Sequence, residues 1–333
     1  DRSLIIAADL PLTGIMVKES TCVVLGGTGF VGQSLVARLA ERGHNVIVPT
    51  RNRERARNMA VTPRVKLVTA NVHEPEALAP LFVDADVVIN LIGILNEQGH
   101  HGGKGFYVAH EALTKTALEA AKQAGVKRFL QMSALKADSK KGPSDYLKSK
   151  GLAEDAIRSM QDAPEWTIFQ PSVIFGAGDS FINRFAQLLK ISPFLPLARP
   201  ASRFAPVFVE DVVEAFMKAL DDRSTIGQTY QLCGPKVYSL RELVTYVRDQ
   251  LELTRWIIGL PDSLAKIQAA IFDFVPGKPL STDNLRSLMV HSICDDNGLE
   301  RLGIRPTPME TIVPTYLQGK NDRARLARLR RNH

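Results

Sequence analysis

Short apolar runs alternate with helical patterns through the first half of this 333-residue chain. Runs that read as strands lie at 21–25, 45–49, 65–69, 86–92 and 126–132, and a sixth fits Trp166–Gln170. Between them apolar residues recur at helical spacing over 30–42, 74–82 and 111–123, as in the Val31/Leu35/Leu39 stripe. Gly43 and Gly125 directly follow two of these helices, where glycine closes a helix at no steric cost. Strands that are apolar throughout and separated by helices predict a parallel sheet covered on both faces, with ligands outside its carboxyl ends. Beyond the sixth strand, Pro171, Pro193, Pro196, Pro200 and Pro206 break the pattern and mark the start of a smaller lobe. Val207–Val209 then leads into a helix entry at Glu210-Asp211 and takes the chain briefly back to the main sheet. The apolar stretch Trp256–Val275, interrupted by Pro261, Asp262, Lys266 and Asp273, reads either as packing of the small lobe or as a lid or partner-facing patch.

The turn after the first strand carries the most chemical information. Gly26, Gly29 and Gly32 stand three apart, with Gly27 thickening the turn. Such spacing lets backbone amides approach a pyrophosphate closely, and the helix that follows offers its free N–H groups and partial positive charge to the anion. The expected fold is therefore α/β: a Rossmann-type doubly wound parallel sheet with a smaller C-terminal substrate lobe. Its divisions are an extension over 1–15, a dinucleotide-binding domain over 16–175, a mostly substrate-binding lobe over 176–320 with 205–235 returning to the main sheet, and a basic tail over 321–333. The second strand ends not in an acid that would bond a ribose 2′-hydroxyl but in Thr50-Arg51, followed by Arg53 and Arg55. A guanidinium there suits a 2′-phosphate, so Arg51 predicts NADP(H) ahead of NAD(H).

Composition adds limits. The chain is 45% hydrophobic and 23% charged, without repeats or low-complexity runs. Cys22, Cys233 and Cys294 lie far apart with no paired spacing, and Cys22 falls inside a strand, which predicts reduced thiols and a cytoplasmic compartment. No uninterrupted apolar run is long enough to span a bilayer. Residues 1–15 lack the order of a signal peptide, and Met16 fits a natural start. The net charge is +7, but five arginines and one aspartate within 321–333 account for +4 of it. The body is not basic enough for nucleic acid; the tail is either a solvated helix end or a contact for an acidic partner or anionic membrane surface.

A second constellation is Ser133, Tyr146 and Lys150. Ser133 ends the fifth strand at the cofactor crevice, and Tyr146 and Lys150 project from one face of the helix begun by Pro143-Ser144-Asp145. A phenol near pKa 10 is a poor base at neutral pH, and a neighbouring ammonium would bring it into range while Ser133 donates to a developing oxyanion. Tyr316 and Lys320 repeat the spacing without a strand-end serine before them, so spacing alone decides little. His100-His101 in a glycine-rich loop lack a third ligand at usable spacing, and no metal site is expected.

Gly-Gly-Thr-Gly-Phe-Val-Gly (26–32), Ser133 and Tyr-Leu-Lys-Ser-Lys (146–150) resemble the short-chain dehydrogenase/reductase superfamily in its extended or atypical branch. Val-Val-Ile-Asn-Leu-Ile-Gly (87–93), Gln-Pro-Ser-Val-Ile-Phe-Gly (170–176), Val-Phe-Val-Glu-Asp-Val (207–212) and Tyr-Ser-Leu-Arg-Glu-Leu (238–243) narrow the likeness. From Thr21 to Pro314 the chain is similar to the group containing the NADPH-binding accessory subunit of respiratory complex I and its bacterial relatives, which are epimerase/dehydratase-like. The resemblance implies Gly26, Thr28, Gly29, Phe30 and Arg51 at the phosphates, Asn71 and Val72 at the adenine, and Val31 among the cofactor-binding residues. It further implies Leu91 and Gly93 at the ribose, with Pro171 and Val173 near the nicotinamide and Tyr146 and Lys150 touching the cofactor. Where catalytic members often carry an asparagine, this chain has His110, either a proton relay or a packed side chain. Two functions follow: NADP(H)-dependent hydride transfer at a secondary alcohol or ketone of an unidentified small molecule, or a non-catalytic accessory subunit of a membrane complex.

Overall fold

The computed structural model describes residues 19–97, 102–274 and 280–317. His100-His101, Lys320, the extension over 1–15 and the tail over 321–333 lie outside the described residues. Along the chain, β1 (Thr21–Leu25), α1 (Phe30–Glu41), β2 (Asn45–Thr50), α2 (Arg57–Ala60), β3 (Val65–Thr69), α3 (Pro75–Phe82) and β4 (Val87–Asn90) come first. Next, α4 (Lys104–Tyr107) runs through one π-helical turn, Val108–Ala112, into α5 (Leu113–Gln123). β5 (Arg128–Met132), α6 (Asp145–Ser159) and β6 (Glu165–Pro171) follow. The remainder comprises β7 (Ile174–Phe175), α7 (Phe181–Ile191), β8 (Phe194–Ala198), β9 (Arg203–Phe204), β10 (Val207–Phe208) and α8 (Val209–Asp221). It continues with β11 (Gln228–Leu232), β12 (Tyr238–Ser239), α9 (Leu240–Gln250), β13 (Trp256–Leu260), α10 (Asp262–Phe272), α11 (Thr282–Ser287) and α12 (Gly298–Arg301).

Seven parallel strands form the main sheet in the order β3-β2-β1-β4-β5-β6-β11. Strand order reverses between β1 and β4, and that is where the crevice for a ligand opens. Alternation along β1 explains why it is apolar throughout. Cys22 and Val24 enter the core under α1 and α8, while Val23 and Leu25 enter the opposite core under α3 and α5. Arg38 of α1 and Arg42 at its C-terminal cap pair with Glu210 and Asp221 of α8 at 3.2 Å and 2.8 Å, and so fix α1 laterally.

Several sequence expectations shift. The run 86–92 is strand only over Val87–Asn90, because the Asn90 side chain turns back to accept from the Ile92 amide (3.2 Å). The third helix begins well before 111, at Lys104, and the π-turn absorbs an extra residue that no helical periodicity reveals. Val207–Phe208 does not rejoin the main sheet: it pairs with β7 in a separate two-stranded ribbon, and β11 supplies the sheet's outer strand. Cys233 and Cys294 are not free thiols but a disulfide spanning 61 residues. Asn297 brings their segments together by bonding both backbone groups of Cys233 (3.3 and 3.0 Å), an encounter in space that sequence spacing does not encode. Of the three cysteines, buried Cys22 alone is free, so the reduced-compartment inference keeps only that support.

The second lobe packs α7, α9, β8 and β12 with helical residues 309–317 around its own core. Tyr316 belongs to that packing, its hydroxyl donating to Asp179 (3.0 Å). The stretch from Trp256 forms β13, paired in parallel with β8, and then α10, which rests on the lobe through Ala265 and Ala269. The opposite side of α10 leaves Leu264, Ile267 and Ile271 exposed. Among the described residues no helix is long and apolar enough to cross a membrane.

Candidate functional site

The turn after β1 is a backbone cradle. Gly26 has φ +79°, and a Cβ on Gly32 would stand 2.4 Å from the Gly26 carbonyl oxygen. Gly29 caps α1 with no side-chain bond to the helix amides, which leaves them for an anion. From this cradle a cavity of about 700 Å³ runs between the two lobes. It brings together Gly26, Gly29, Phe30, Val31, Leu91, Gly93, Ser133, Tyr146, Lys150, Pro171 and Val173. Thr28, Arg51, Asn71 and Val72 are not on its wall. Exposed Arg51 follows β2, and its charge, after burial, helps lower the pKa of His73 on the loop beyond β3. Asn71 spends its side chain on that loop, donating to Glu74 (2.8 Å), while Val72 is buried among core residues.

Lys150 is 3% exposed, and its ammonium donates to the carbonyls of Ile92 (3.2 Å) and Met132 (3.1 Å) at the ends of β4 and β5. Two of its three donors are thus used within the protein, and the third remains for a ribose hydroxyl. Ser133 Oγ is buried without a hydrogen-bond partner, a condition that costs free energy unless a ligand satisfies it. These residues fit a dinucleotide and an oxygen-bearing substrate.

Tyr146 differs from the sequence expectation. Burial, and then the Asp283 carboxylate, push its phenol up to about 12, and no neighbouring cation brings it down. Asp283 was not legible in the sequence: from α11 it accepts from the amides of Asp145 (2.7 Å) and Tyr146 (3.2 Å) and so tethers the start of α6 to the second lobe. His110, aimed inward by the π-turn, accepts from the Ile94 amide at Nε2 (3.0 Å), so Nδ1 carries the proton towards Ser149 Oγ (2.8 Å). Burial and then the Lys150 charge push its pKa down to about 2, so it is a neutral, doubly bonded buried side chain that stands edge-on to Tyr146. Among the described residues no group of His, Cys, Asp and Glu is arranged to hold a metal.

Burial lowers the Lys150 pKa to about 8, Glu154 opposing only in part. Below that pH the amine is charged in both folded and unfolded states, and the fold carries the desolvation cost. Above it the fold releases its proton while the unfolded chain keeps one until about pH 10.5, so stability due to this group rises over that window. Relative to Lys150→Met, the wild type should gain roughly 2–3 kcal/mol between pH 8 and 10.5. Chemical denaturation of both proteins across that range checks it; a constant difference would refute it.

A model of NAD(P)H-binding proteins matches residues 26–179. The mitochondrial NADH dehydrogenase (ubiquinone) 1 alpha subcomplex subunit 9 of Arabidopsis thaliana is 34% identical over 299 residues, 85% of this chain and 73% of that protein. The ceramide reductase of Caulobacter vibrioides is 34% identical over 188 residues, 56% of this chain and 57% of the reductase. Among solved structures, a dTDP-glucose 4,6-dehydratase from Streptomyces venezuelae with NAD bound gives a TM-score of 0.71 over 91% of this chain and 97% of that one. At 20% identity this is a likeness of fold. Shared identity across most of both sequences, on a sheet and turn built for a nicotinamide dinucleotide, means that the chain belongs to the family of alpha subcomplex subunit 9 of NADH dehydrogenase (ubiquinone).

Proposed function

We propose that this chain binds NADP(H) and works at a ketone or secondary alcohol, with Tyr146 as acid/base, Lys150 as its electrostatic support and Ser133 as the oxyanion donor. The observation that carries this reading is the partnerless, buried Ser133 hydroxyl on the same wall as Tyr146 and Lys150. The turn over 26–32 and Lys150 would hold a nicotinamide dinucleotide, which would supply or accept the hydride. Ser133 holds the substrate oxygen, and Tyr146, protonated at neutral pH, donates to that oxygen as charge grows on it. At neutral pH the phenol is thus in the protonated form that reduction needs, although burial makes it a weaker acid than an ordinary phenol. Consumption of reduced cofactor over a panel of ketones, lost in Tyr146→Phe with binding retained, tests the assignment.

Arg51 supports the phosphate-bearing cofactor, because it stands exposed after β2 and within electrostatic reach of His73. Arg51→Glu should reduce the NADPH-over-NADH binding ratio by about 10–100-fold, the worth of one lost charge-assisted phosphate contact. Calorimetry with both nucleotides measures it; an unchanged ratio removes Arg51 as the selector.

A second reading is favoured by the relative that matches across most of its length and is named as a mitochondrial NADH dehydrogenase (ubiquinone) subunit. On this reading the chain is an NADPH-holding accessory subunit of a respiratory complex, seated on the cytoplasmic side at the membrane surface. The partner is then a protein complex, with the arginines of 321–333 facing acidic protein or anionic lipid. NADPH would raise the melting temperature of such a subunit, and no carbonyl compound would oxidise it.

A further inference from the structure

Beyond the glycine cradle the same cavity enters a chamber whose walls are apolar, formed by Val173, Phe181, Phe185, Leu188, Leu195 and Phe272. Helix α7 has two apolar sides. Ile182, Ala186 and Leu189 are fully committed to the lobe core, while Phe181, Phe185 and Leu188 stay half-buried and line the chamber. Most polar groups on the chamber wall are already engaged: Lys136 with Asp295 (2.8 Å), Asn284 with the Leu95 carbonyl (3.0 Å), Ser292 with Ser172 (3.0 Å) and the Gln268 amide nitrogen with the Pro196 carbonyl (3.3 Å), while Gln268 Oε1 is buried without a partner. Arg184 is engaged as well. A nucleotide sugar needs donors for its diphosphate and hydroxyls, and each of these engaged donors would first have to give up a bond inside the protein. An alkyl chain needs none, and gains by leaving water. The helix over this chamber, α10, turns Gln268 and Phe272 inward and exposes Leu264, Ile267 and Ile271, so a ligand leaving a lipid phase meets apolar surface outside and inside.

We propose that the chamber holds the alkyl chain of a lipid-class ketone or secondary alcohol, with its oxygen at Ser133 and Tyr146. The position of the oxygen rests on the hydride-transfer reading; the position of the chain rests on the chamber alone. The test is a homologous series of 2-ketones titrated into the full chain, with and without saturating NADPH, beside dTDP-glucose. Affinity should rise about fourfold per methylene and level off when the chamber is full. Leu188→Trp, which fills the chamber, should bring the plateau to shorter chains, and Phe185→Ala, which enlarges it, should move the plateau to longer ones. Affinity independent of chain length, or dTDP-glucose binding more tightly than the long ketones, overturns the proposal. NADPH titrated alone reports on the cofactor cradle separately, so a failure there is distinguishable from failure of the chamber. Chain-length-dependent binding without turnover would keep the lipid site and reject only the catalytic reading.

Discussion

Gly32→Ala is expected to abolish dinucleotide binding while weakening the fold. The new Cβ would lie 2.4 Å from the Gly26 carbonyl oxygen and 2.6 Å from the Gly27 Cα, both backbone atoms. Relief would require α1 to move away from the turn. That helix is held on its other sides by buried Leu35, Val36 and Leu39 and by the ion pairs of Arg38 and Arg42 with α8. Overpacking against such a fixed element costs about 1–3 kcal/mol. Binding suffers more, because the amides that meet the pyrophosphate are displaced along with the helix. A loss of at least 100-fold in NADPH affinity, about 3 kcal/mol, is expected. Gly29→Ala is the control: its Cβ would meet the Gly26 oxygen only at 3.2 Å, so its effect should be several-fold smaller. Calorimetry with NADPH, alongside thermal melts of both variants, decides the matter. Tight binding by Gly32→Ala would mean that this turn is not the anion cradle.

That cradle was legible because everything it needs is local: a buried strand, three glycines at fixed spacing and an amphipathic helix. The convergence of Ser133, Tyr146 and Lys150 was legible for a similar reason, one residue closing a strand and two sharing a helix face. What escaped reading depends on contacts distant in sequence or on departures from regular periods. Asp283 reaches the start of α6 across more than a hundred residues, and only the fold brings α11 there. His110 sits in a π-turn and packs edge-on against Tyr146, and hydrophobic spacing does not register that insertion. The Cys233–Cys294 pair follows from Asn297 joining β11 to a late loop. The half-buried side of α7 was hidden for another reason. A phenylalanine facing a chamber and one facing a core carry the same letter, and only the packing of the opposite lobe separates them.

Tyr146→Phe is expected to lower ketone reduction about 1,000-fold, about 4 kcal/mol in the barrier, while NADPH affinity stays within about threefold of wild type. The substitution keeps the ring, and with it the edge contacts to His110 and Phe106, whose centroids stand 5.5 and 6.2 Å away. Only the proton donor is lost. The pH profile then separates the partners. With its phenol near 12, Tyr146 stays protonated through the neutral and mildly alkaline range, so it cannot cause an alkaline fall that begins near 8. Lys150 can, because burial has moved its ammonium to about 8, and on the proposed mechanism losing that charge removes the electrostatic support for the reacting oxygen. Wild-type reduction should therefore decline above about pH 8, and Lys150→Arg, which keeps a cation at any working pH, should move that decline upward. A decline unchanged in Lys150→Arg would assign it to another group. If the wild type binds NADPH and moves no hydride to any ketone, Tyr146→Phe has nothing to lower. The phenol pushed up by burial, and then by Asp283, would then mark a site kept for holding the dinucleotide rather than for turning it over.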